Sequence, residues 1–136
     1  MKMLLYILTT LLFALILASL LSSQTPAGSR VVVPPTPGDC TSSASPAVCG
    51  AAAAGSVTVA AAATTKVVNT TAVTANSQIF IARDDSLGTK LSVTCNTATA
   101  MTEKKISART AGTSFTITVA PTPATNPYCL SFTLFN

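Results

Sequence analysis

Apolar residues fill an almost unbroken run from Met3 to Leu21 (MLLYILTTLLFALILASLL), relieved only by Thr9, Thr10 and Ser19. Beyond residue 55 they alternate with polar ones instead. Val57 and Val59 are interleaved with Ser56 and Thr58; Leu91, Val93 and Cys95 with Ser92 and Thr94; Phe115, Ile117 and Val119 with Ser114, Thr116 and Thr118. Near the end of the chain, Tyr128, Leu130, Phe132 and Leu134 share one parity. A period of two with β-branched and aromatic residues is the mark of a half-buried strand. Further strands are predicted at 65–69, 78–83 and 105–109, and the AAAA bracketed by Gly50 and Gly55 is too short to nucleate a helix alone. Turn chemistry separates the strands: Asp84, Asp85, Ser86 and Gly88 in one connection, PTPATNP at 121–127 in another. The expected fold is all-β, a small jelly-roll-like sandwich of six to eight short antiparallel strands, preceded by a hydrophobic leader helix. A compact β-barrel uses the same alternation and is the alternative.

The apolar run follows Lys2 and the amino terminus, the arrangement of a signal peptide. Ala18, Ser19, Ser22 and Ser23 supply small residues for a cut near Gln24, although no A-x-A site is present. As a helix the run is about 28 Å long, borderline for a bilayer core, so an uncleaved anchor that touches the membrane through residues 1–23 is the second reading. Pro26, Gly28, Pro34, Pro35 and Pro37 follow around a short RVVV and predict an extended linker. The expected organisation is a signal peptide or anchor at 1–23, a Pro/Ala/Ser-rich linker with a disulfide loop at 24–55, and a β domain at 56–136.

Composition changes this picture in one respect. Most of the strong hydrophobes lie in the leader and the chain has no Trp, so the domain's core is thin and needs staples. Cys40, Cys49, Cys95 and Cys129 are an even set behind an export signal, which favours two disulfides. Of the three pairings open to four cysteines, Cys40 with Cys49 and Cys95 with Cys129 is the expected one. The second bridge meets a difficulty: Cys95 shares parity with Leu91 and Val93, whereas Cys129 is out of parity with the apolar face of its strand.

Charge and candidate chemistry narrow the function classes. The net charge is +4, but the basic residues are scattered and only Lys104 and Lys105 are adjacent, which does not make a nucleic-acid footprint. There is no His, and no pair of cysteines has C-x2-C spacing, so neither a metal nor a cofactor is expected. The acidic residues are Asp39, Asp84, Asp85 and Glu103, with the adjacent pair reading as turn residues and not as a carboxylate dyad. Lys66, Lys90, Lys104 and Lys105 fall on positions expected to be exposed. Asn69, Thr70 and Thr71 form an N-x-[ST] sequon that matters only in a glycosylating host. TANSQIFI at 74–81 and TAGTSFTI at 110–117 echo each other as corners that feed a strand, with Asn76 and Gly112 at positions that tolerate positive φ.

The segments TTAVTANSQIFIARDDSLGT and SARTAGTSFTITVAPTPATNPYCLSFTLFN, within residues 53–136, resemble a small C-terminal β module of bacteriophage and phage-derived metagenomic structural proteins. That resemblance implies a non-catalytic component of an appendage or fibre, partnered by copies of itself or by other structural subunits, and a place in a virion. The leader implies export to the envelope or the exterior. Together they give the expected function: an exported structural or adhesive β module and no enzyme. The alternative is a membrane-anchored β domain on a Pro-rich stalk that binds an envelope partner.

Overall fold

The computed structural model describes residues 39–136, so the expected leader and most of the expected linker lie outside the described residues. The described chain is mostly β: eight strands in two four-stranded sheets packed over one core. In chain order they are β1 (Cys40–Ser42), β2 (Ala47–Val48), β3 (Ala54–Val59), β4 (Thr65–Asn69), β5 (Gln78–Arg83), β6 (Glu103–Thr110), β7 (Ser114–Ala120) and β8 (Tyr128–Phe135). One sheet has the order β1-β3-β8-β5 and the other β2-β4-β7-β6. Among these eight strands only the β6–β7 hairpin stays within a sheet; every other connection changes sheet. The two ladders do not close on each other, which gives a sandwich-like arrangement and not a barrel.

Alternation places the core. Val57, Val59, Tyr128, Leu130, Phe132 and Leu134 face inward from one sheet, Val68, Phe115, Ile117 and Val119 from the other, and all are buried. Phe115 and Phe132 meet edge to face across the gap, with centroids 5.3 Å apart. The predicted strands at 65–69, 78–83 and 128–135 coincide with β4, β5 and β8. Gly112 takes a left-handed φ of 66° in the β6–β7 turn, but Asn76 does not adopt positive φ.

Four expectations are corrected. First, the stretch assigned to linker and disulfide loop contains β1 and β2, and the first strand of the core begins at Ala54 instead of Ser56, so residues from about Cys40 onward belong to the β domain. Cys40, Ala47, Cys49 and Ala52 are core residues, and small side chains this close to the core edge carry no period-two signal. Second, not every pairing is antiparallel: β1 runs parallel to β3 and β2 parallel to β4. Gly55 permits the first of these, because a Cβ there would lie 2.4 Å from the Cys40 carbonyl oxygen.

Third, 91–95 is not a strand. Asp84 caps a 3-10 turn (Asp85–Leu87) by accepting from the Ser86 N–H at 3.0 Å, and the chain continues into α1 (Gly88–Leu91), which ends on Ser92 in the left-handed region. Local capping overrides the alternation, and Leu91, Val93 and Cys95 are buried or half-buried on a different surface. Fourth, the Asp84–Gly88 segment, expected as a turn connecting two strands, begins the long crossover from β5 to β6 in the other sheet.

Candidate functional site

The structure closes both expected disulfides, Cys40–Cys49 and Cys95–Cys129, and leaves no free cysteine among the described residues. The parity difficulty at Cys129 resolves without any irregularity in β8. Tyr128 and Leu130 point into the core, while Cys129 points to the outer face of its sheet and is fully buried there by Leu91 and Cys95, with Leu87 and Val93 packed alongside. The crossover between β5 and β6 therefore builds a small second apolar cluster on the outside of the sheet. Its bridge fastens the crossover to β8.

Two cations hold the chain where it passes between sheets. Lys66, expected to be exposed, is 2 % exposed; it shares the inner face of β4 with Val68, and its Nζ donates to the Ala44 carbonyl in the arch from β1 to β2. Burial strips water from this ammonium and lowers its pKa below the usual lysine value. The hydroxyl of Thr58 donates to the Ser43 carbonyl at 3.1 Å, so two carbonyls of the same arch are held. Arg83 does the equivalent for the crossover. Its guanidinium donates to the carbonyls of Thr99 (2.7 Å) and Asn96, pairs with Asp85 at 2.8 Å, and lies 4.9 Å from the centroid of the Tyr128 ring. A planar fork with five donors suits this many-sided role better than an ammonium would.

Asp84 and Asp85 stay apart in function. Asp84 accepts from both the N–H and the hydroxyl of Ser86, and these bonds hold its carboxyl below the ordinary carboxylate range. Asp85 serves Arg83. Among the described residues no group of three or more His, Cys, Asp or Glu side chains is placed to hold a metal ion, and no helix is long and apolar enough to cross a membrane. The sequon residue Asn69 lies half-buried at the end of β4, beside an open hollow that also touches Thr71, Thr113 and the 75 % exposed Val48.

Among the described residues the largest apolar side chain offered to solvent is Phe80, 61 % exposed on the outer face of the edge strand β5. It packs edge to face on Phe135 with centroids 5.4 Å apart, and a shallow hollow beside it is lined by Ala82, Ser131 and Thr133. Sequence reasoning missed Phe80, Lys66 and Arg83. For Phe80 a signal existed: it shares parity with Gln78 and Ala82, opposite to Ile79 and Ile81, so one side of the strand had to leave it outside. For the two cations no local signal pointed to the carbonyls they hold, since those carbonyls lie 13 to 22 residues away.

No family model, no curated protein and no solved structure matches the chain.

Proposed function

We propose that the chain is an exported, non-catalytic structural or adhesive β module that works by surface contact. The observation that carries this reading is the pair of disulfides, each fastening a segment that crosses between the sheets of a domain with few large core side chains. Such bridges persist in an oxidising compartment, and the apolar run behind Lys2 supplies a route to one. Outward positions of β6 and β7 are mostly Thr, Ser, Lys and Ala, a surface suited to broad polar contact. The resemblance of residues 53–136 to phage-derived β modules supports the structural half of the proposal, and for phage ancestry it is the sole support.

The test is expression of the chain with its own leader, separation into membrane and soluble pools, and intact and non-reducing peptide mass spectrometry. The expected product has both disulfides closed and an amino terminus near Gln24. An intact Met1 with both disulfides in the membrane pool establishes the anchored, stalk-displayed alternative. Reduced thiols in a cytoplasmic product overturn export.

A further inference from the structure

Edge strands expose unpaired N–H and C=O groups, and proteins blunt them with shortness, charge or bulges. Three of the four edges here are blunted. The strands β1 and β2 contain three and two residues, and β6 carries Glu103, Lys104, Lys105 and Arg109 together with a bulge between Ile106 and Ala108. The fourth edge, β5, is neither short nor bulged. It runs six residues in unbroken register with β8, and its only charge, Arg83, is turned inward to the Asn96 and Thr99 carbonyls.

The phase of the ladder shows which backbone groups that edge offers. The Asp84 N–H donates to the Cys129 carbonyl at 3.0 Å, one step beyond the Arg83–Leu130 pair of the same register. Hydrogen-bonded pairs alternate along an antiparallel ladder, so the even-numbered residues Gln78, Phe80 and Ala82 spend their N–H and C=O on β8. Those of Ile79 and Ile81 point to the free edge, where no described strand pairs with them.

From this we infer that β5 is a self-pairing edge whose partner is the β5 of a second copy of this chain, joined antiparallel about a two-fold axis at Phe80. The register follows from the phase. Ile79 of each copy pairs with Ile81 of the other and exchanges both backbone bonds, while Phe80 faces its own counterpart in the closer, non-hydrogen-bonded position. On the outer face the Phe80–Phe135 pair of one copy then meets that of the other, and Gln78 lies opposite Ala82, with no like charges facing within the strand pair. Antiparallel self-pairing of β6 centred on Ser107 sets Lys105 against Arg109, a like-charge pair. This inference rests on the reading of the chain as a module that works by contact, and it names the partner.

Sedimentation velocity over a range of concentrations tests it, using the exported chain with both disulfides closed. A concentration-dependent dimer is expected. Phe80→Lys places like charges across the two-fold axis and weakens the dimer by about tenfold or more, and Phe80→Thr, which suits a strand and adds no charge, weakens it less. An equimolar mixture of Phe80→Lys and Phe80→Glu recovers a mixed dimer that neither variant forms alone. Lys105→Glu on the β6 edge leaves the dimer intact. Circular dichroism and melting temperature show that each variant is folded, as the exposure of Phe80 leads one to expect. A wild-type chain that stays monomeric at millimolar concentration overturns the proposal, as does a folded Phe80→Lys or Phe80→Thr variant that dimerises like wild type. A monomer with both disulfides closed sinks self-pairing and leaves the export reading standing; reduced thiols sink export whichever way the sedimentation falls.

Discussion

The arch from β1 to β2 and the crossover from β5 to β6 do the same job by different means. Both carry the chain from one sheet to the other, both are fastened by a disulfide, and both have backbone carbonyls held by a cation from a strand. The arch is short, and its bridge spans a sequence separation of 9 inside the main core. Lys66 reaches it through the core and is desolvated on the way. The crossover is long, its bridge spans 34 residues, and it brings its own apolar cluster to the outside of the sheet. There the partly exposed Arg83 keeps several partners at once. Beside its disulfide the short link is held by one desolvated cation; the long link has more freedom to lose and adds a multidentate one.

The largest expected difference between the two regions is in their bridges. Chain-entropy reasoning gives about 4 kcal/mol for the longer loop and about 2.5 kcal/mol for the shorter one. Urea unfolding of Cys95→Ala/Cys129→Ala should therefore show a larger loss than Cys40→Ala/Cys49→Ala. The reverse order would mean that core packing around Cys40 and Cys49, and not loop length, sets the scale.

Next in size is Arg83→Met, which keeps apolar bulk and removes the fork. It is expected to cost about 2 kcal/mol, as hydrogen bonds to charged groups do, and to raise hydrogen exchange selectively across 96–102. An unchanged exchange pattern there would show that Cys95–Cys129 alone holds the crossover.

For the arch, Lys66→Met is expected to change stability at neutral pH by less than about 1.5 kcal/mol, because the lost hydrogen bond is offset by removal of a buried charge. Its signature is in pH. The folded-state pKa of Lys66 lies below the ordinary 10.5, so between those two values the unfolded chain holds a proton that the folded chain has shed. Wild-type stability accordingly rises with pH through that window, and the rise should be absent in Lys66→Met. Urea midpoints measured from neutral pH up to about 10.5 check this.

The smallest effect belongs to Asp84→Ala at the start of the crossover. The carboxyl's folded pKa is lowered by Ser86, so its contribution is present above the ordinary 3.8 and lost as pH falls through the lowered value. The wild-type advantage over Asp84→Ala, read from thermal melts, should be constant near neutral pH and shrink in acid.

Legibility differed by region in the same way as the tethers did. In β4 and β7 one face is buried and the other is not, so parity was readable: Phe115, Ile117 and Val119 are buried and their neighbours are not. Around the arch, parity had nothing to act on, because Ala47, Cys49 and Ala52 are buried through smallness and close approach. In the crossover, the alternation of Leu91, Val93 and Cys95 was present but served a helical turn and a loop that cover the sheet's outer face. Both faces of β8 are buried at Cys129, a situation a single-strand pattern has no means to announce.

By itself the sequence determined the β character of the domain, the parity of its central strands and the even set of cysteines, because these depend on local periodicity and on counting. Only the tertiary structure decided which sheet each strand joins, that two pairings are parallel, that Lys66 lies inside, and that Arg83 faces two carbonyls. Those outcomes depend on residues distant in the chain meeting across a 4-on-4 stack of strands. A side chain's neighbours in such a stack are set by the order of the sheets, which no local pattern carries.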